Sequence, residues 1–227
     1  MTTILITGAN RGLGLGMAKH AADRGFTVIG TARNPDSADE LKSIASRVEL
    51  LDTSSRESID ALAQRLGDEP IDILVNNAGI FPHECDDIND LDFDAFERVL
   101  RTNTFGPLML TKAIVPNVAK SDRKLIVSIT SNLGSITDAS KGQMGFLGYR
   151  TSKAALNMAN ATMAHQLKPK GITSVVVHPG WVQTDMGGQA ADLSPDQSTS
   201  SIMNTIDQLS AKDNGRFVDY KGDELPW

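Results

Sequence analysis

Short runs built mostly from Val, Ile and Leu recur along this chain, and each is followed by a stretch with helical spacing. The runs are "TTILIT" (2–7), "FTVIGTA" (26–32), "RVELL" (47–51), "IDILVN" (71–76), "KLIVSIT" (124–130) and "ITSVVVH" (172–178). Strands that are apolar throughout, rather than alternating with polar residues, belong to a parallel sheet covered on both faces. The amphipathic segments between them cover 12–24, 36–45, 55–67, 92–120, 147–168 and 195–211. Parallel neighbours need crossover connections, and a helix in each crossover packs back on the sheet with right-handed sense. The pattern predicts an α/β fold: a doubly wound, Rossmann-type parallel sheet with helices on both faces, formed by residues 1–227 as one domain. A last run, "RFVDY" (216–220), is expected to close one edge. Pro107 falls inside the long helical segment and should bend it, or fit through compensating local contacts.

Composition narrows the functional classes. The chain has 227 residues, 40% hydrophobic and 22% charged, enough for one substantial core. A net charge of −6 argues against nucleic acid as the main partner and against a basic membrane-surface protein. No apolar run approaches the roughly 20 residues that cross a bilayer. The start, "MTTILITGAN", reads as a strand and not as a signal peptide. The single cysteine, Cys85, suits a reducing compartment, and its acidic surroundings in "FPHECDDIND" make it a poor nucleophile. A cytoplasmic protein is the expectation. His20, His83, His165 and His178 are scattered without ligand spacing, so no metal site is expected. His178, at a strand end beside Pro179, is read as structural rather than substrate-facing.

Open α/β sheets bind ligands beyond the C-terminal ends of their strands. The long aperiodic stretches 79–91, 131–146 and 185–194 all lie there. After the first strand comes "TGANRGLG", with Gly8, Gly12 and Gly14 opening into a helix. Glycine serves where backbone turns tightly or approaches a phosphate, and the helix start offers free N–H groups to a pyrophosphate. Asn10, Arg11 and Leu13 share this turn and are expected to line the same site. The second strand ends in "GTARN", placing Arg33 where NAD-binding folds carry an acidic residue for the ribose hydroxyls. Arg33 and Arg11 together suit the 2′-phosphate of NADP(H). In "LGYRTSKAAL", Tyr149 and Lys153 stand one helical turn apart on one face, which alone does not separate a catalytic pair from an ordinary polar one.

"TGANRGLG", "NNAG" (76–79), "RTNTFGP" (101–107), Ser131, "YRTSK" (149–153) and "HPGWVQTDM" (178–186) together resemble the short-chain dehydrogenase/reductase family, in the family's order. The tail "NGRFVDYKGDELPW" is similar to that of sniffer-type carbonyl reductases and C-factor-like proteins. The resemblance implies that Tyr149 gives a proton to a carbonyl oxygen while a nicotinamide gives hydride to its carbon. Lys153 would favour the phenolate by its charge and an oxidised nicotinamide would add a second positive charge, a lowering of ~3 pKa units being roughly 4 kcal/mol of differential stabilisation; Lys153 would also bond the nicotinamide ribose. Ser131 would hold the substrate oxygen, with Ser128 and Thr130 as neighbouring hydroxyls. Asn103 would order a water linking Lys153 to solvent, and could also bond backbone within a kinked helix.

By the same resemblance Asn76, Ala78 and Gly79 would line the adenosine half of the site. Asp52, with Thr53 beside it, would contact the adenine, although a helix N-terminal role for Asp52 stays open. Pro179 and Gly180 would let the backbone pass the nicotinamide, Val182 would bond its amide, and Thr184 would reach the pyrophosphate. The family resemblance leaves three functions open: an NADPH-dependent reductase of small aldehydes or ketones, a narrower alcohol or 3-oxoacyl-type dehydrogenase, and an NADP-binding signalling protein like the C-factor relatives.

Ser131 and Tyr149 stand 18 positions apart, more than in many family members. The extra "DASKGQMGFL" region is expected to form a flap beside the substrate cleft. Met144, Phe146, Phe81 and Trp181 would make that cleft apolar, structural packing being the equal alternative. The helix "SKAALNMANATMAHQL" is rich in small residues that permit close approach, so a homodimer is expected, although such inserts obstruct the oligomerising faces of related reductases.

Overall fold

The computed structural model describes residues 1–142 and 145–227; Met144, expected in the cleft wall, lies outside the described residues. Seven parallel strands form one sheet: β1 (Thr3–Ile6), β2 (Thr27–Ala32), β3 (Arg47–Leu50), β4 (Ile73–Asn76), β5 (Leu125–Ile129), β6 (Thr173–His178) and β7 (Phe217–Asp219). Their spatial order is β3-β2-β1-β4-β5-β6-β7. The direction of winding reverses between β1 and β4, which pair with Ile4 beside Ile73 and Ile6 beside Val75. The helices are α1 (Gly12–Asp23), α2 (Asp39–Lys42), α3 (Arg56–Leu66), α4 (Phe93–Leu100), α5 (Gly106–Lys120), α6 (Ile136–Ala139), α7 (Leu147–Leu167) and α8 (Pro195–Gln208).

Alternate residues of each strand feed two cores, as the two-residue period of a strand requires. Ile4, Ile6, Val28, Val75, Val127 and Val177 pack under α1 and α8 against Met17, Ala18, Ile202 and Met203. Leu5, Ile29, Leu74 and Ile126 point the other way, onto Ile59, Leu62, Leu110, Ile114 and Val118 of α3 and α5. Both faces are therefore sealed, and the C-terminal strand edge is where polar loops gather.

Two helical expectations change in detail. The segment 36–45 yields only the four residues of α2, preceded by a 3-10 turn at Pro35–Ser37 whose start Asn34 caps by accepting the Asp36 N–H at 3.1 Å. The segment 92–120 is continuous but widens into a π-helical turn at Arg101–Phe105 between α4 and α5. Pro107 accounts for the widening. It lacks an N–H, and in a regular α-helix its ring would strike the carbonyl of residue 103. The bend thus falls on Asn103.

Candidate active site

The glycine turn and the turn after β4 are braced against each other. The Thr7 hydroxyl accepts the N–H groups of Asn77 and Ala78, both at 2.9 Å. The Asn77 amide donates back to the Thr7 oxygen at 2.9 Å and the Gly8 oxygen at 3.2 Å. Gly8 has φ +62, and a Cβ there would come within 3.2 Å of the Ala78 Cα. Gly12 also has positive φ, and a Cβ on it would project into the gap between the turn and the Thr184 methyl, 3.9 Å away. Gly14 serves packing: a Cβ on it would stand 2.3 Å from the Gly8 oxygen.

These turns border a cleft of about 930 Å³ along the strand ends, near the upper end of small-ligand sites. Gly8, Asn10, Arg11, Gly12, Leu13, Arg33, Asp52, Thr53, Ala78, Gly79, Tyr149, Lys153, Pro179 and Thr184 all line it. Asp52 accepts the Ser54 N–H at 2.9 Å and the Ser54 hydroxyl at 2.7 Å. Ser55, not Asp52, caps α3, so the helix-capping alternative for Asp52 falls away.

The two arginines differ. Arg11 forms an ion pair with Asp185 across the mouth of the cleft. Arg33 is exposed and has no ion-pair partner among the described residues.

Four residues of the expected cofactor set do not line the cleft. Asn76 is the last residue of β4, and its side chain turns into the sheet, donating to Thr111 Oγ1 and Ser128 Oγ at 3.3 Å. Its neighbour Asn77 faces the cleft instead, because successive strand residues point to opposite sides. Gly14 is spent on helix–strand packing. Gly180 (φ +83) permits a close approach, but to Leu193 and the Tyr220 ring, 2.4 Å and 3.2 Å from where its Cβ would be. Val182 is buried and bridges to Leu193.

At the inner end the proposed chemical residues meet. Ser131, two residues past β5, accepts the Leu133 N–H at 3.1 Å and favours ionisation of the Tyr149 phenol in the first turn of α7. The other two hydroxyls are committed elsewhere: Ser128 accepts from Asn76, and Thr130 donates to Asn157 at 2.6 Å. Lys153 lies beside Tyr149, its Nζ 5.6 Å from the ring centroid, and donates to the Ile129 oxygen at 2.8 Å. Asn103, fully buried in the π turn, accepts the Ile80 N–H and donates to the Ile80 oxygen, both at 2.9 Å, and donates to Ser152 Oγ at 3.1 Å. It braces the "NNAG" turn to α7 and makes no direct bond to Lys153. Neither Ser131 nor Asn103 lines the large cleft; both lie behind Tyr149 and Lys153.

Burial dominates the electrostatics of the Tyr149–Lys153 pair in the chain alone. Burial raises Tyr149 to about 12, with the Ser131 bond opposing, and burial lowers Lys153 to about 8. Removing both groups from water disfavours both charges, and the ammonium is spent on a carbonyl oxygen rather than on the phenol. Burial likewise takes His178 down to about 4, although Asp219 opposes it. The Cys85 thiol is pushed up by burial first and then by Asp86 and Glu84. Among the described residues no group of three or more His, Cys, Asp or Glu side chains is placed to hold a metal, and no helix is long and apolar enough to cross a membrane.

Phe81 packs its ring on Tyr149 at 4.5 Å and on Phe146 at 5.1 Å, so it belongs to the wall around the phenol. Trp181 is half exposed, its indole donating to the Gly187 oxygen at 2.8 Å. Asn77, Arg98, Arg101, Gln183 and Asp185 also line the cleft and were not singled out by the sequence. Arg98 and Arg101 follow one another on a helical face, a pattern too common to mark a site.

Residues 2–194 match the short chain dehydrogenase family model. The C-signal protein of Myxococcus xanthus is 40% identical over 167 residues, covering 74% of this chain and 99% of that protein. The Sniffer carbonyl reductase of D. melanogaster superposes with a TM-score of 0.92 at 38% identity, all of each chain being covered. An NADPH-bound carbonyl reductase from chicken fatty liver gives 0.90 at 34% identity, covering 100% of this chain and 99% of the other. With the match spanning the glycine turn, the Ser131–Tyr149–Lys153 cluster and the loop after β6, this chain belongs to the short-chain dehydrogenase family.

Proposed function

We propose that this chain, acting as one domain, is an NADPH-dependent reductase of small aldehydes or ketones. The observation that carries the reading is the buried Ser131–Tyr149–Lys153 cluster at the inner end of a cleft floored by glycine. The residues suit the dinucleotide. Gly12 leaves room for a pyrophosphate beside the N–H groups at the start of α1, and Gly8 lets the turn close on Ala78. Arg33 offers an uncommitted guanidinium at the end of β2, where a 2′-phosphate would be read. The NADPH found in the chicken liver relative agrees with this choice. When bound, NADPH supplies hydride to the carbonyl carbon.

The protein's own part is the proton. Burial raises Tyr149 to about 12, so the phenol holds its proton at neutral pH. The Ser131 side chain favours ionisation of the phenol, which eases loss of its proton. Lys153, charged below about 8, offsets the phenolate left behind. Asn103 keeps Gly79 and α7 in register through Ile80 and Ser152. The test is Tyr149→Phe, which should abolish turnover while leaving NADPH binding intact.

The similarity to the C-signal protein favours a second reading, an NADP-binding signalling protein with narrow or secondary activity. The buried phenol–hydroxyl pair favours chemistry, because binding alone does not require a proton donor.

A further inference from the structure

The chain beyond β7 folds back on itself, and Trp227 reaches the segment between Ser131 and Tyr149. The Asp219 carboxylate accepts the N–H groups of Lys221 and Asp223 at 2.8 and 3.0 Å, forming a tight turn. Val218 then bridges Glu224 antiparallel, and the Leu225 N–H reaches the Phe217 oxygen at 2.9 Å. This returning segment covers the open edge of the sheet, and it carries Trp227 onto the Phe217 ring at a centroid distance of 5.4 Å. From there the Trp227 main-chain oxygen accepts the Thr137 N–H at 2.7 Å and the Ser135 hydroxyl at 3.2 Å.

Thr137 and Ser135 belong to the insert between Ser131 and Tyr149. Its helix α6 has only four residues, too few to persist by its own hydrogen bonds. Two caps hold it. The Ser135 hydroxyl accepts the Asp138 N–H at 3.1 Å, and Trp227 takes the Thr137 N–H. The same insert borders the chemistry at both ends. It starts at Ser131, which favours ionisation of the phenol, and Leu133 packs in the cluster around Tyr149. Gly134 lies so close to α7 that a Cβ on it would be 2.8 Å from the Lys153 carbonyl carbon. At the far end Phe146, in the left-handed region at φ +59, rests on Phe81.

We propose that Trp227 is a positioning residue: by capping α6 and anchoring on Phe217, it fixes the insert against the Ser131–Tyr149 pair and thereby sets the affinity for the carbonyl substrate. The kinetic consequence rests on the reductase reading; the structural consequence does not. Losing the cap should loosen the substrate wall while leaving the glycine turn, Arg33 and the rest of the nucleotide cleft untouched.

The experiment compares the full chain with a variant lacking residues 226–227, with Trp227→Ala and with Trp227→Phe. Hydrogen exchange of 132–142, NADPH affinity by fluorescence, and KM and kcat for a reducible aldehyde are measured. The deletion should speed exchange across α6 and raise KM about fivefold, the factor a lost helix cap is worth, with NADPH affinity unchanged. Trp227→Ala should do the same in part, and Trp227→Phe should restore wild-type behaviour by keeping the ring contact. Unchanged exchange at 137–142 in the deletion overturns the clamp, whether or not a substrate has been found. Faster exchange with an unchanged KM overturns the positioning role. A wild-type enzyme that reduces no aldehyde, with faster exchange in the deletion, would fault the reductase reading and leave the clamp supported. Should the deletion fail to fold, the alanine and phenylalanine variants decide by the same readouts.

Discussion

Lys153 directs its ammonium at the Ile129 main-chain oxygen, 2.8 Å away, while sitting beside the Tyr149 ring and not on its hydroxyl. The pair is therefore a buried phenol beside a buried ammonium. Burial sets both acidities, and it favours the neutral form of each.

A consequence for stability follows from the sign of the Lys153 shift. Its folded pKa, about 8, lies below the unfolded value of 10.5. Below pH 8 the unfolded chain holds the charge more comfortably, so the penalty on folding is fully present there. It shrinks as pH rises from about 8 to 10.5 and vanishes above. Lys153→Met should raise the unfolding free energy at pH 7 by roughly 1–3 kcal/mol, a gain that fades toward pH 10.5. Denaturant titrations of both proteins at pH 7 and pH 10 check this; an equal difference at the two pH values would contradict it.

Cofactor choice should rest on Arg33 more than on Arg11. Arg33 is unpaired among the described residues, whereas Arg11 is already engaged with Asp185. Arg33→Asp should weaken NADPH binding by roughly 10- to 100-fold, the range of a lost charge-assisted bond, and leave NADH nearly unaffected. Fluorescence titration with each dinucleotide measures it. Equal losses for both would show that Arg33 does not read the 2′-phosphate.

Gly14→Ala tests the turn itself. The added methyl would lie 2.3 Å from the Gly8 oxygen and 2.9 Å from the Ala9 Cα, both main-chain atoms that cannot yield cheaply. Loss of NADPH binding with a lowered melting temperature is expected.

Asn103→Ala removes three hydrogen bonds from a fully buried position. Each abandoned buried partner costs on the order of 1–3 kcal/mol, so the variant should unfold at clearly lower denaturant. Asn103→Asp keeps the acceptor for the Ile80 N–H but sets a buried carboxylate oxygen against the Ile80 oxygen, and should be no more stable than the alanine variant. A stability equal to wild type in both would mean that water replaces the brace.

The strand alternation was legible because parallel strands buried on both faces leave long apolar runs, and all seven strands fall where those runs stand. The glycine turn was legible too, since its glycines answer backbone geometry. Less accessible was anything set by tertiary contact. Asn76 and Asn77 are the same residue type, and only the strand's alternation, counted to its last residue, tells which one enters the sheet. The π turn is signalled by Pro107 alone, and the brace it gives Asn103 depends on Ile80, 23 positions away. The burial of Tyr149 was not legible, because it comes from Phe81, Leu133 and Cys85 folding around it.

The central claim is that Tyr149 is the proton donor in a carbonyl reduction. The most direct measurement is the rate of NADPH oxidation by wild type and Tyr149→Phe, across small aldehydes, diketones and quinones, with NADPH affinity followed by fluorescence. The account expects wild-type turnover that falls about 10²- to 10⁴-fold in the variant, at unchanged NADPH affinity. Turnover retained by Tyr149→Phe would contradict it.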